Sequence, residues 1–394
     1  MQATEERERV TKKRRVFADE RMKDAEWIAV MQGLIEHLYN IRVATTEQLF
    51  QMIPEDSKAN WLIKKHTQKW NLRRKIEQFS NIRKSRMKLN LYSPDKDVWY
   101  DAPNCIVNTL DRTTVLEYEN KVGYDYYLAN DKAESSPNRD QRNRYVLLTE
   151  LYIQMAKCGM EYLMQWIPNV AFKRLFDQIK YRNEEPHDPG LLGGLIYKKD
   201  NDELQLVGLS VFTSTSRVYK KYMEWVIAKG NEGLYEPVVF VQKSFQKEAM
   251  QKCLHDHHNN AWIMSYEWAV KNPVSLIDAI RFMGRRTILQ ILEPYRINGG
   301  HIEEVAGVAP TFRWKVTKQD GKEVYIDTTL GRPIGTIVKL AIEISSLGGP
   351  EHIVWCTTKE EKEFWESVSK EASTDIKYYV MDETILSNVR LPLD

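Results

Sequence analysis

Between Lys58 and Lys88 the chain carries eleven basic side chains and a single acid, Glu77. The basic residues are Lys58, Lys64, Lys65, Lys69, Arg73, Arg74 and Lys75, then Arg83, Lys84, Arg86 and Lys88. That is a net charge of +10 over 31 residues, against +2 for all 394. Cations at this density can neutralise a polyanionic backbone. Asn60, Thr67, Gln68 and Asn71 are interleaved among them. Their side chains can hydrogen-bond base edges or phosphate oxygens. Lys58, Lys65, Lys69 and Arg73 fall at helical neighbour spacings and can share one face. These fifteen residues are the candidate contacts to double-stranded DNA. A helix mixing basic and amide groups suits the major groove, and a basic strand suits the adjoining backbone or minor groove.

Other chemistry is harder to build. Cys253, His255, His257 and His258 crowd one short stretch. Zinc needs about four convergent ligands, and no second pair stands at a suitable spacing. The stretch reads as a helix C-terminus, where cationic histidine complements the dipole. A Mg²⁺-dependent nuclease needs acids on adjacent hairpin strands and an assisting lysine. The first candidate hairpin, Gly193-Gly194-Leu195-Ile196 with Leu206-Val207-Gly208-Leu209, is apolar. The second offers Asp327 without a partner acid on the facing strand, and Glu343 falls on the following helix. Gly331-Arg332-Pro333-Ile334-Gly335 lacks the lysine of a P-loop and reads as a strand-to-helix turn. No catalytic residue, metal ligand or cofactor is therefore assigned.

The elements that would position the basic segment are legible. Trp27, Ile28, Met31, Leu34, Ile35 and Leu38 mark one face of a helix over about 24–40. Thr45 with Gln48 forms a capping box for a short helix that Pro54 ends. Ser57 caps a third helix reaching about Phe79, and residues 82–94 read as a strand or hairpin. Three helices followed by a basic ribbon is the layout of a winged helix-turn-helix. Glu134-Ser135-Ser136-Pro137-Asn138 marks a boundary, and a helix over about 141–158 follows it.

The C-terminal half alternates strands and helices. Its second halves align without gaps at a shift of 115 residues, Val239-Phe240-Val241 against Val354-Trp355-Cys356 and Ile263-Met264 against Tyr378-Tyr379. Either a module has been duplicated or a common βαβ grammar recurs. The expected fold is α/β (α+β overall), a winged helix-turn-helix followed by a candidate duplication of a ββαβαβ nuclease-like unit. The expected organisation is a basic arm at 1–20 and a DNA-binding domain at 21–100. A connecting segment at 101–140 leads to α/β units at 141–290 and 291–394.

A hydrophobic fraction of 42% excludes global disorder. No run of ~18 apolar residues exists, so no membrane span is expected. The charged N-terminus reads as no secretory signal. Cys105, Cys158, Cys253 and Cys356 lie far apart, consistent with a reduced, cytoplasmic protein. The charge is polarised: +7 in residues 1–100 and −5 thereafter.

The chain resembles the replication-relaxation proteins of plasmids and mobile elements. The resemblance runs through Ile41-Arg42-Val43-Ala44-Thr45-Thr46-Glu47-Gln48-Leu49-Phe50, Asn143-Arg144-Tyr145-Val146-Leu147-Leu148-Thr149-Glu150-Leu151 and Gly194-Leu195-Ile196-Tyr197. It implies an N-terminal winged helix joined to a nuclease-like α/β domain, and a role in plasmid replication or DNA relaxation. The expected function is sequence-specific binding of double-stranded DNA at an origin or promoter of a plasmid, phage or other mobile element. The acidic half would support homo-oligomerisation or recruit a replication or transcription partner. A metal-dependent nuclease or relaxase and a protein-interaction module are the alternatives.

Overall fold

The computed structural model describes residues 24–53, 82–123, 139–168, 191–213, 221, 223–224, 226–228, 230, 233, 235–254, 260–305, 312–343 and 350–392. Among them are thirteen strands in three sheets with helices between, a mixed α/β chain. No described helix is long and apolar enough to cross a membrane. Two compact units result: Met1–Leu91 with Asp101–Thr149, and Tyr92–Tyr100 with Glu150–Asp394.

In the first unit, α1 (Asp24–Ile41) buries Met31, Leu34, Leu38, Tyr39 and Ile41. Arg42 then takes a left-handed φ of 68° and the helix ends. The strand β1 (Ala44–Thr45) leads straight into α2 (Thr46–Gln51). The capping box is present. Thr45 Oγ1 accepts from the Gln48 N–H at 3.2 Å, and Gln48 Oε1 accepts from the Thr45 N–H at 3.0 Å. Gln48 also donates to the Val146 carbonyl at 2.9 Å. Two long strands follow, β2 (Ile82–Ser93) and β3 (Val98–Leu110), then α3 (Arg112–Val122) and α4 (Arg139–Lys157). The sheet order is β1-β3-β2. Ala44 pairs with Asn108 and Thr45 with Val107, antiparallel. The helix expected from Ser57 to Phe79 and the arm at 1–20 lie outside the described residues.

The expected connector at 101–140 contains regular structure in its described part. Asp101–Leu110 completes the central strand of this sheet, and α3 is tied to α1 by a Tyr39 hydroxyl donating to Glu119 Oε1 at 2.7 Å. Asp101, Pro103 and Asn104 read locally as loop. Among the described residues, β1 pairs with that edge of β3 only at Val107 and Asn108, beyond Asp101, Pro103 and Asn104. Asn104, inside the strand, has a left-handed φ of 58°, which an asparagine accepts.

The second unit holds two five-stranded sheets. One runs β4 (Gln165–Pro168), β5 (Gly193–Lys198), β6 (Leu204–Phe212), β7 (Glu236–Val241) and β8 (Trp262–Ser265) in spatial order. Between β7 and β8 lies α5 (Gln246–Cys253), and α6 (Tyr266–Lys271), α7 (Pro273–Phe282) and α8 (Arg285–Ile297) follow β8. The other sheet runs β9 (His301–Glu304), β10 (Trp314–Thr317), β11 (Glu323–Thr328), β12 (Glu351–Cys356) and β13 (Ile376–Val380). Its helices are α9 (Ile334–Glu343) after β11, α10 (Lys359–Glu371) after β12, and α11 (Glu383–Ser387) after β13.

In both sheets the first three strands are antiparallel and the last two pairings parallel. The registers agree as well. Val241 stands opposite Ser265 and Cys356 opposite Val380, the same separation of 24 residues. The two halves therefore share one topology, as the 115-residue shift suggests. Each has one strand more than the expected ββαβαβ unit, because β4 and β9 precede the hairpins. Four residues containing a proline or three charges and polar groups carry no readable strand period. The equivalent helices α5 and α10 face each other. Thr358 Oγ1 donates to Gln246 Oε1 at 2.9 Å, and Lys247 pairs with Glu363 at 2.7 Å.

Helices α6 to α8 lie between the two sheets in sequence and have no counterpart in the sequence reading. Asp278, fully buried, anchors the start of α8. Its carboxylate accepts from the backbone N–H of Arg286 (3.1 Å) and Thr287 (2.8 Å) and from Thr287 Oγ1 (2.7 Å). Gly284 and Gly331 both take left-handed φ, 70° and 72°. A Cβ on Gly331 would lie 2.3 Å from the Met283 carbonyl carbon, and one on Gly284 2.6 Å from the Leu330 oxygen. Glycine is required at both because the α7–α8 and β11–α9 turns press backbone on backbone.

Candidate nucleic-acid interface

Eleven of the fifteen candidate DNA contacts, Lys58, Asn60, Lys64, Lys65, Thr67, Gln68, Lys69, Asn71, Arg73, Arg74 and Lys75, lie outside the described residues. The other four, Arg83, Lys84, Arg86 and Lys88, are brought together on β2. Residues two apart on a strand share a face, and Arg86, Lys88 and Asn90 are exposed while Leu89 is buried. Arg83 is exposed at the base of the strand, and Lys84 is half-buried. Lys88 pairs with Asp101 at 2.5 Å, and Asp101 also accepts from Asn90 Nδ2 at 3.2 Å. One of the four cations is thus partly neutralised within its own hairpin.

A further base stands beside them. Arg142, on α4, donates to Ser85 Oγ at 2.7 Å. Neither Arg142 nor Asp101 was legible as part of this group. Their sequence neighbourhoods read as a boundary helix and a connector, and only the sheet order places them next to β2.

The second unit clarifies the nuclease-type acid. Asp327 is fully buried on β11. Oδ1 accepts from Arg313 Nε (2.8 Å) and the Thr328 N–H (2.7 Å). Oδ2 accepts from the Arg313 N–H (3.1 Å) and from Arg332 Nη2. Carboxylate lone pairs committed to two guanidiniums and two amides are not presented to a cation. The Gly331–Gly335 stretch is the turn between β11 and α9, as read, and its arginine serves Asp327.

Across the interface of the equivalent helices lies a small cavity, lined among others by Trp262, Arg332, Thr357, Glu361 and Trp365. It encloses about 20 Å³, room for about one water. Glu361 is buried, and its Oε2 accepts from the Thr357 N–H at 2.7 Å and Oγ1 at 2.6 Å. Burial raises its carboxyl above the usual glutamate range, and the Thr357 hydrogen bonds pull the other way. Among the described residues no three His, Cys, Asp or Glu side chains converge as metal ligands. Cys253 ends α5 as a buried thiol, and His255, His257 and His258 lie outside the described residues.

Comparison of the chain with protein-family models, curated proteins and solved structures gives no match.

Proposed function

We propose that the protein binds double-stranded DNA through its first unit, as a winged helix-turn-helix at a site on a plasmid, phage or other mobile element. The observation that carries this reading is the sheet order β1-β3-β2, with the two-residue β1 wedged between α1 and α2. The order of a helix, a short strand, a second helix and a long hairpin whose second strand pairs with the first strand supports the winged-helix reading. The frame sets the basic strand β2 directly after the segment 58–79, where seven further cations are concentrated. The resemblance carried by 41–50 supports an origin or promoter as the target. The second unit, with its net negative charge, serves assembly or partner recruitment rather than DNA contact.

Fluorescence anisotropy of the full chain on labelled duplex, over a salt series, tests this. Log affinity should fall linearly with log salt at about −0.9 per phosphate neutralised. Replacing Arg83 and Arg86 by alanine should make that slope shallower by about 2. Absence of binding at low salt, or an unchanged slope in the double variant, would overturn the reading.

A further inference from the structure

The hairpin of β2 and β3 is chemically divided. Its base carries Arg83, Lys84, Arg86 and Lys88. Its turn, Ser93-Pro94-Asp95-Lys96-Asp97, bears two exposed acids against one lysine. A net negative tip is a poor visitor to a groove walled by phosphates.

Residues Tyr92–Tyr100 belong to the second unit, and within it they are seated in a built socket. The Trp99 indole N–H donates to Glu267 Oε1 at 2.6 Å. Glu267 is itself fixed by two further donors. The Lys243 N–H donates to Oε2 at 2.8 Å and to Oε1 at 3.1 Å, and Ser265 Oγ donates to Oε2 at 3.0 Å. Glu267 is 7% exposed. The rings of Tyr92, Trp99 and Tyr266 form a cluster with centroids 5.5 to 6.2 Å apart. Tyr92 donates its hydroxyl to Asp97 at 2.5 Å, and Lys271 pairs with Asp97 at 2.8 Å. Lys271 and Tyr92 hold the Asp97 carboxyl below the usual aspartate range. The acids that would repel DNA therefore have a use: one of them binds the lysine at the end of α6.

We infer that the hairpin tip is a docking plug rather than a DNA contact, and that Trp99 is a positioning residue that seats this tip through Glu267. This rests on the DNA-binding reading for its consequence, though not for the plug itself. An exposed ion pair such as Lys271–Asp97 contributes little. The weight falls on the aromatic cluster and on a hydrogen bond to a buried carboxylate.

The test uses the full chain with Trp99→Ala and Trp99→Phe, the second keeping a ring while removing the indole N–H. Amide hydrogen exchange over 92–100 should accelerate at least tenfold in Trp99→Ala and by a smaller factor in Trp99→Phe. DNA affinity should drop several-fold in Trp99→Ala with an unchanged salt slope, because no phosphate contact is removed. Unchanged exchange in both variants would overturn the plug. Faster exchange with wild-type DNA affinity would overturn the positioning role. If the wild-type chain binds no duplex, the DNA reading and the positioning role fall together, while the exchange result still decides the plug.

Discussion

Ser210 and Asp327 occupy the same place in the two sheets of the second unit. Ser210 stands opposite Val239 and Asp327 opposite Val354, and those two valines are matched by the 115-residue shift between the halves. Both side chains are fully buried. One half thus holds a neutral hydroxyl where the other holds a carboxylate. The carboxylate is accompanied by two arginines, Arg313 and Arg332, from the flanking turns.

That relationship makes Asp327 a structural anchor. Asp327→Ala would remove the buried carboxylate on which two largely buried guanidiniums converge. The expected loss is about 3–5 kcal/mol of stability, read as a lowered denaturation midpoint in urea. A variant as stable as the wild type would overturn this anchoring role.

The capping box should be measurable in the first unit. Thr45→Ala removes the acceptor for the Gln48 N–H and should cost about 1 kcal/mol. Gln48→Ala should cost more, because it strips the Thr45 N–H of its acceptor and also removes the bond to Val146. Chemical denaturation of both variants checks the order. Equal losses would mean that the tie to α4 contributes nothing.

Glu361 should give stability a pH dependence of defined sign. Burial raises its folded-state value above that of the unfolded chain. Between the two values the native chain holds a proton that the unfolded chain has released. Stability therefore falls as pH climbs through that window. Glu361→Gln keeps an acceptor for Thr357 and cannot ionise, so the drop in Tm between about pH 5 and about pH 8 should shrink. Asp278, raised by burial as well, remains to give a residual slope of the same sign. Thermal melts at the two pH values check this, and an identical drop in the variant would count against a buried ionising Glu361.

Local pattern was enough for much of the frame. The 3.6-residue spacing of Met31, Leu34 and Leu38, the Thr45–Gln48 pair and the apolar runs Val238–Val241 and Ile353–Cys356 are each dictated by neighbours a few residues away. The 115-residue shift between the halves leaves duplication and a common βαβ grammar open, and the strand pairings supply their shared topology. The basic character of β2 is equally a property of composition.

What lay beyond reach depends on partners far apart in sequence. Trp99 and Glu267 are separated by 168 residues, and Tyr39 and Glu119 by 80. Asp101, Pro103 and Asn104 look like loop until the sheet that holds β3 is known. β4 and β9 are too short to show a period, and they become strands only because a longer neighbour supplies the ladder. Asp327 carries no local sign that Arg313 and Arg332 fill its lone pairs. Composition and periodicity determine which residues can be buried or charged. Only the tertiary fold assigns each buried polar group its partner, because a carboxylate must be satisfied wherever the chain folds it, by whichever donor the packing brings within about 3 Å.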